Sequence, residues 1–272
     1  MISNNSMNLV YLYLLSPLHT GGTTQEGNLL GIARESHTNL PYIPSSSIRG
    51  RLRASVEETS LQHRLFGNDL SASEKLEQGA IWIGDGSILW VPVPSLSHGV
   101  VWISCPLLLQ RWARLNQVEA PVPDVSEKYA VHPDLAKGKP IYLKDAILKS
   151  DKLQSWDSWK IFVPQSTHTS SITRAIVLSD QNCATLIQMS LWRQVKIKLD
   201  QHKTVDGGFR YEEAIPPDTL MYFPWGVTAQ AKDKATEFKV DFEMLLEDES
   251  RSLLQIGGQE SLGRGFVQQW MN

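Results

Sequence analysis

Apolar residues fall in short blocks along this chain, and the spacing inside each block assigns it to a strand or a helix. Asn8-Leu9-Val10-Tyr11-Leu12-Tyr13-Leu14-Leu15 is an unbroken apolar and aromatic run, which predicts a buried strand. Pro17 ends it. The polar, glycine-containing stretch from Thr20 to Gly31 predicts a long loop, and loops of that length in a compact chain are usually functional or mobile. Pro44 closes an extended segment, and Ser45-Ser46-Ser47 offers an N-cap to a helix over Ile48 to Glu58. Strand-like runs between Ala80 and Val93 flank Gly84-Asp85-Gly86, a hairpin signal. Pro106 to Leu115 is amphipathic with proline in its first turn and predicts a helix.

From about 119 to 173 the chain is rich in Pro, Lys, Asp and Ser, with Trp156 and Trp159 interspersed, and reads as an insertion of loops and short elements. Ala175-Ile176-Val177-Leu178 predicts a short strand, and Ser179 or Asp180 caps a helix reaching about Leu191. Val195 to Asp200 alternates apolar and basic residues, the period of a half-buried strand. Gln201 to Gly208 then reads as an exposed hairpin tip. Leu220 to Phe223 predicts a strand and Thr236 to Glu249 an amphipathic helix. Two strand-like runs, Leu253 to Ile256 and Phe266 to Trp270, close the chain around a glycine turn. This order fits one α+β domain over residues 1–272, with a sheet carrying helices in the manner of a ferredoxin-like or RNA-recognition core.

Composition narrows the partners. The formal net charge is −3 and 20% of residues are charged, so nucleic-acid binding through a bulk positive field is excluded and any such binding is focal. No apolar run is long enough to span a bilayer, and Met1-Ile2-Ser3-Asn4-Asn5 lacks the features of a signal peptide, so the expectation is a cytoplasmic protein with no membrane partner. Cys105 and Cys183 lie far apart in apolar surroundings and read as buried free thiols.

Two segments are suited to anions. In Gly257-Gly258-Gln259-Glu260-Ser261-Leu262-Gly263-Arg264-Gly265, the glycines Gly257, Gly258, Gly263 and Gly265 allow a close backbone approach. Arg264 adds a fork of donors matched to phosphate. No Gly-Lys-Ser/Thr follows, so this is not a P-loop. In the second segment Ser45, Ser46 and Ser47 lead a helix N-terminus, Gly50 leaves room for a sugar–phosphate chain, and Arg49 and Arg53 share a helix face. Lys203 at the hairpin tip adds a further phosphate contact. For chemistry the candidates are His19, Glu26, and Tyr211 with Glu212; no metal-ligand spacing and no Gly-x-Ser-x-Gly motif occurs.

These motifs resemble those of the RAMP superfamily of CRISPR effector subunits. The segments that carry the resemblance are Pro17-Leu18-His19-Thr20-Gly21-Gly22, Arg34-Glu35-Ser36-His37-Thr38, Pro41 to Gly50, and the final Gly257-Gly258 with Leu262-Gly263-Arg264-Gly265. Leu89 to Leu96, Val177 to Asp180, Lys203-Thr204-Val205 and Tyr211-Glu212-Glu213 are similar to the repeated backbone subunit of type III-B (Cmr) complexes. The resemblance implies that copies of the chain line up on a CRISPR guide RNA with other type III subunits and capture target RNA. It also implies a protruding thumb hairpin at about 195–215 that displaces a base of the guide–target duplex at regular intervals. The family's loop after the histidine carries an aspartate that promotes metal-dependent cleavage (Mg or Mn) of target RNA. Here that position falls at Leu29, or at Asn28 with a shift of one, and Glu26 is the only carboxylate in the loop. The expectation is RNA capture with weak or absent cleavage. The alternative within the superfamily is an endoribonuclease that processes precursor guide RNA.

Overall fold

The computed structural model describes residues 7–26, 29–68, 77–247 and 253–271. The chain opens with β1 (Asn8–Leu14), β2 (Gly21–Glu26), β3 (Leu29–Ile32), α1 (Ser45–Ala54) and α2 (Thr59–Phe66). It continues through β4 (Ile81–Ile83), β5 (Ser87–Ser95), β6 (Gly99–Ser104) and α3 (Pro106–Leu115). The middle holds β7 (Tyr129–Val131), β8 (Ile141–Tyr142), β9 (Ile147–Leu148), β10 (Leu153–Ser155) and β11 (Ala175–Val177). Next come α4 (Asp180–Ser190), β12 (Trp192–Leu199), β13 (Val205–Ala214) and β14 (Leu220–Val227). The last elements are α5 (Ala235–Glu247), β15 (Leu253–Gln255) and β16 (Phe266–Met271).

The main sheet runs β10-β7-β11-β6-β5-β14-β1-β16-β15, with β4 also paired to β14. Its centre explains the apolar blocks. β1 sends Val10, Leu12 and Leu14 into one core and Leu9, Tyr11 and Tyr13 into the other. Both faces are covered, so the strand reads as continuously apolar instead of alternating. β14 divides the same way, with Met221 and Phe223 on one side and Leu220 and Tyr222 on the other. The first face is closed by Ile48 of α1, Phe66 of α2, Ile187 of α4 and Phe242 of α5. The second is closed by Trp112 of α3 and by Trp156 and Phe162 of the insertion. Trp90 Nε1 donates to the Phe162 carbonyl at 2.8 Å, which satisfies the polar atom of a fully buried indole.

Four expectations change. The Thr20–Gly31 stretch is a hairpin, β2 on β3, and not an open loop. The segment after Pro44 folds as two short helices, α1 and α2, separated near Ser55. β4 and β5 flank a turn at Gly84-Asp85-Gly86 but do not pair with each other, because β4 lies against β14 at the register Trp225–Ile83. The insertion contributes strands to the main sheet, with β7 between β10 and β11.

A second sheet, in the order β12-β13-β3-β2, stands apart from the first. Its parallel pair joins Tyr211 to Leu29 and Glu212 to Leu30, bringing together segments far apart in sequence. Among the described residues no helix is long and apolar enough to cross a membrane.

Candidate nucleic-acid interface

β12 and β13 form a long hairpin whose residues 201–211 are all exposed. The turn at its tip is held by Asp200 Oδ1, which accepts from His202 N at 2.8 Å and Thr204 N at 2.9 Å. Lys203 sits in this turn at φ 60°, exposed. Register places Val195 opposite Tyr211 and Ile197 opposite Phe209. These four side chains share one face and are each between 41% and 52% exposed. Phe209 and Tyr211 meet edge to face at 5.4 Å. On the other face Lys196 stands opposite Arg210, next to Gln194 and Glu212. Lys196 is bonded to Glu212 and Lys198 to Asp206, each at 2.7 Å, so the hairpin offers an apolar, aromatic face and a face of mixed charge. Such an uncovered apolar strip marks a surface that meets a partner.

At the root of the hairpin, Glu212 and Glu213 point to opposite faces. Glu212 is 5% exposed and bonds Lys196 Nζ at 2.7 Å and Arg264 Nη1 at 3.1 Å. Burial alone would raise its carboxyl; Lys196, Gln259 and Arg264 outweigh burial and hold it below the usual carboxylate range. Arg264, expected to face a phosphate, turns inward instead and is 3% exposed. It also donates to Gln259 Oε1 and Gln194 Oε1, each at 2.5 Å, and its guanidinium lies 4.4 Å from the Trp192 ring centroid. Every face of the fork is occupied by the protein itself. Glu213 ties the other face, with Oε2 to Arg34 at 2.8 Å and Oε1 to Arg193 at 3.0 Å.

The glycines serve the same inward packing. A Cβ on Gly257 would lie 2.4 Å from the His19 carbonyl and one on Gly265 1.9 Å from that of Ile256. Gly258 N donates to the His19 carbonyl at 3.1 Å, and Gly265 N to that of Pro17 at 3.0 Å. The close backbone approach predicted for the loop is thus made by the protein's own chain at Pro17 to His19. Gly263, at φ 72°, has open space where a Cβ would project. Trp192, Gln194, Lys196 and Gln259 complete this root and were not among the expected site residues. The alternation along β12 held a signal for three of them, since Trp192, Gln194 and Lys196 fall on one strand face.

α1 carries the second cationic group. The serines do not cap it. Pro44 occupies the N-cap, and Ser45 N donates to Asp85 Oδ1 at 2.7 Å, so the helix start takes a carboxylate from the β4–β5 turn. Arg49 and Arg53 both reach the C-terminal carbonyls of α2. Arg49 Nη2 donates to Phe66 O, and Arg53 Nη1 to Gly67 O at 2.7 Å. Burial lowers the Arg49 guanidinium, and the neighbouring Arg53 lowers it further. Ser46 and Gly50 lie exposed one turn apart beside them, with Ser47 partly buried, and nothing lies within 4 Å of a Cβ placed on Gly50.

The groups considered for chemistry come near one another without forming a free catalytic set. His19 is 5% exposed, and its Nδ1 donates to the Glu213 carbonyl at 2.8 Å, which makes it a strut between the two sheets. Tyr211 is exposed beside Leu29. Glu26 ends β2 opposite Leu29 by its backbone. The Glu26 side chain and Asn28 lie outside the described residues. Among the described residues no three His, Cys, Asp or Glu side chains group as a metal site. Glu212 and Glu213 each already hold two cationic side chains. The described residues therefore do not fit a divalent ion.

The main sheet, the separate β12-β13-β3-β2 sheet with its exposed hairpin, and the C-terminal glycine loop packed against the hairpin's root together define the α/β architecture of the chain. The chain belongs to the RAMP superfamily, whose model matches residues 11–268. It is 28% identical over 280 residues to the CRISPR system Cmr endoribonuclease Cmr4 of Pyrococcus furiosus, covering 95% of this chain and 93% of that protein. The fold matches the oligomeric Cmr4 from Pyrococcus furiosus with a TM-score of 0.74, at 26% identity and over 98% of this chain and 97% of that one. It also matches a chain of the type III-B Cmr-beta complex bound to cognate target RNA, with a TM-score of 0.74 at 18% identity, over 97% of this chain and 96% of that one.

Proposed function

We propose that the chain is the repeated backbone subunit of a type III-B CRISPR effector: it holds guide RNA, assembles with copies of itself and other subunits, and captures complementary target RNA. The observation that carries this reading is the exposed β12–β13 hairpin, apolar on the Phe209–Tyr211 face and with Lys203 and Arg210 exposed along it. An aromatic face can insert beside a base pair and stack on the base it displaces, while Lys203 and Arg210 follow the strand. Superfamily membership and the likeness to an oligomeric relative support a role in assembly. Guide–target pairing supplies sequence specificity, so the subunit reads only backbone. Its place of work is the cytoplasm.

Guide contact falls to Arg49 and Arg53 with Ser45, Ser46, Ser47 and Gly50, and to Lys203 at the hairpin tip. Cleavage is not the main task of this chain, because neither Leu29 nor Asn28, where the family's aspartate falls, is acidic. A divalent ion, if one takes part, is brought with the RNA and not by the described side chains.

Replacing Arg49 and Arg53 together by glutamine is expected to weaken RNA binding for every sequence alike. The slope of log K against log salt should fall by about 0.7 for each phosphate that is no longer neutralised. Filter binding at several salt concentrations reads both quantities, with melting temperature as the control for the carbonyls of α2. Wild-type affinity with an unchanged slope would place the groove elsewhere.

A further inference from the structure

The insertion contains a cavity that RNA capture by the hairpin does not use. It has a volume of about 510 Å³, within the usual range for small-ligand sites, and lies between the turn at Asp157–Phe162, the turn at Thr167–Thr169 and the entry to β11. His132, Trp159, Lys160 and Arg174 line it. Lys160 Nζ lies 5.7 Å from the Trp159 ring, and His132 meets that ring edge-on at 4.9 Å. Among the described residues neither Lys160 nor Arg174 is in an ion pair. The single acidic group of the lining, Asp134, is bonded by Lys137 at 2.6 Å. The Ser166 and Thr169 hydroxyls cap their own turn and the Ser170 hydroxyl bonds Thr167 O, so the cations are left to recognise a ligand. Val163 and Ile172 lie beside the indole at the floor of the cavity, and like Trp159 they show only an edge, each being 7% exposed or less.

Uncompensated cations beside an aromatic and apolar wall match a phosphate joined to a nucleoside. We propose that this cavity binds the phosphate group of a nucleotide, with Lys160 and Arg174 on the phosphate and the nucleoside along the Trp159 wall. His132 reports on the site. Burial lowers its imidazole first; of the charged groups facing it, Asp134 raises it, while Lys160, Arg174 and Lys137 lower it further. Phosphate set between those cations would stabilise the imidazolium and raise the value.

The test is a titration of the His132 ring by NMR on the full chain, alone and with inorganic phosphate, AMP or a short single-stranded RNA. An upward shift of roughly one unit is expected with a nucleotide-bearing ligand. Lys160→Gln with Arg174→Gln should abolish it without changing the melting temperature, since both side chains are exposed. A shift with RNA but not AMP assigns the phosphate to a strand, and a shift with AMP assigns it to a free nucleotide. A shift with inorganic phosphate alone overturns the nucleotide assignment. No shift with any of the three, or a shift that survives the double substitution, overturns the site. None of these outcomes depends on hairpin-mediated capture, so failure here and failure of the capture role are separable.

Discussion

Leu29→Asp is expected to raise cleavage of bound complementary RNA by about 10²–10⁴-fold, the usual worth of one positioned acid–base group. Leu29 opens β3 and pairs with Glu26 on one side and Tyr211 on the other. It is half-buried, so an aspartate there keeps contact with water and stands beside the exposed phenol of Tyr211. The wild-type neighbours cannot supply that group at full strength. Glu212 is held between Lys196 and Arg264, and His19, fixed through Nδ1 on the Glu213 carbonyl, is only 5% exposed. The assay compares wild type, Leu29→Asp and Glu26→Ala in the assembled complex, with labelled target RNA and Mg²⁺ or Mn²⁺. A gain in Leu29→Asp means that the scaffold lacks only its carboxylate. Rapid, evenly spaced cleavage by wild type that survives Glu26→Ala contradicts this and directs attention to His19 or the Tyr211–Glu212 pair.

The second large effect concerns folding. Arg264→Ala strips a buried carboxylate of one of its two cations. Breaking a buried pair costs about 3–5 kcal/mol, and with Lys196 still on Glu212 the lower end applies. A loss of about 3 kcal/mol corresponds to a fall in Tm of roughly 6–12 °C for a domain of this size. Because Glu212 titrates low in the folded chain, its contribution is complete above the unfolded carboxyl value of about 4.3 and is lost as pH falls through the folded value. The gap between wild type and variant should therefore be full at neutral pH and narrow under acid. Adding Glu212→Gln should restore part of the loss, since half-exposed Lys196 can return to water. The salt slope of RNA binding, by contrast, should be that of wild type. A stable Arg264→Ala variant with a reduced salt slope would mean that the guanidinium faces RNA after all.

Local pattern made much of the fold readable. β1, α3 and the β15–β16 pair are written in the spacing of neighbouring residues, whereas Asp206-Gly207-Gly208, which reads as a turn, lies within β13, and the hairpin turns earlier, between Asp200 and Thr204. Side-chain direction in the site was not, because it is decided by partners far along the chain. Arg264 turns inward toward Glu212, 52 residues away, and α1 is capped by Asp85, 40 residues from Ser45. The polar stretch after Thr20 forms the β2–β3 pair, and β3 in turn lies along β13 from far down the chain. A glycine–arginine turn looks the same in sequence whether it closes on a phosphate or on its own backbone. What separates the two is the buried pairing of Glu212 and the His19 carbonyl waiting beneath Gly257 and Gly258.

The most direct test of the capture role is the mass of the complexes formed on guide RNAs of increasing length. A backbone subunit uses heterologous contacts that repeat along the strand, so the number of bound copies should rise in steps with RNA length and particles should lengthen under the electron microscope. A monomer, or a two-fold dimer of fixed size whatever the RNA length, would contradict it.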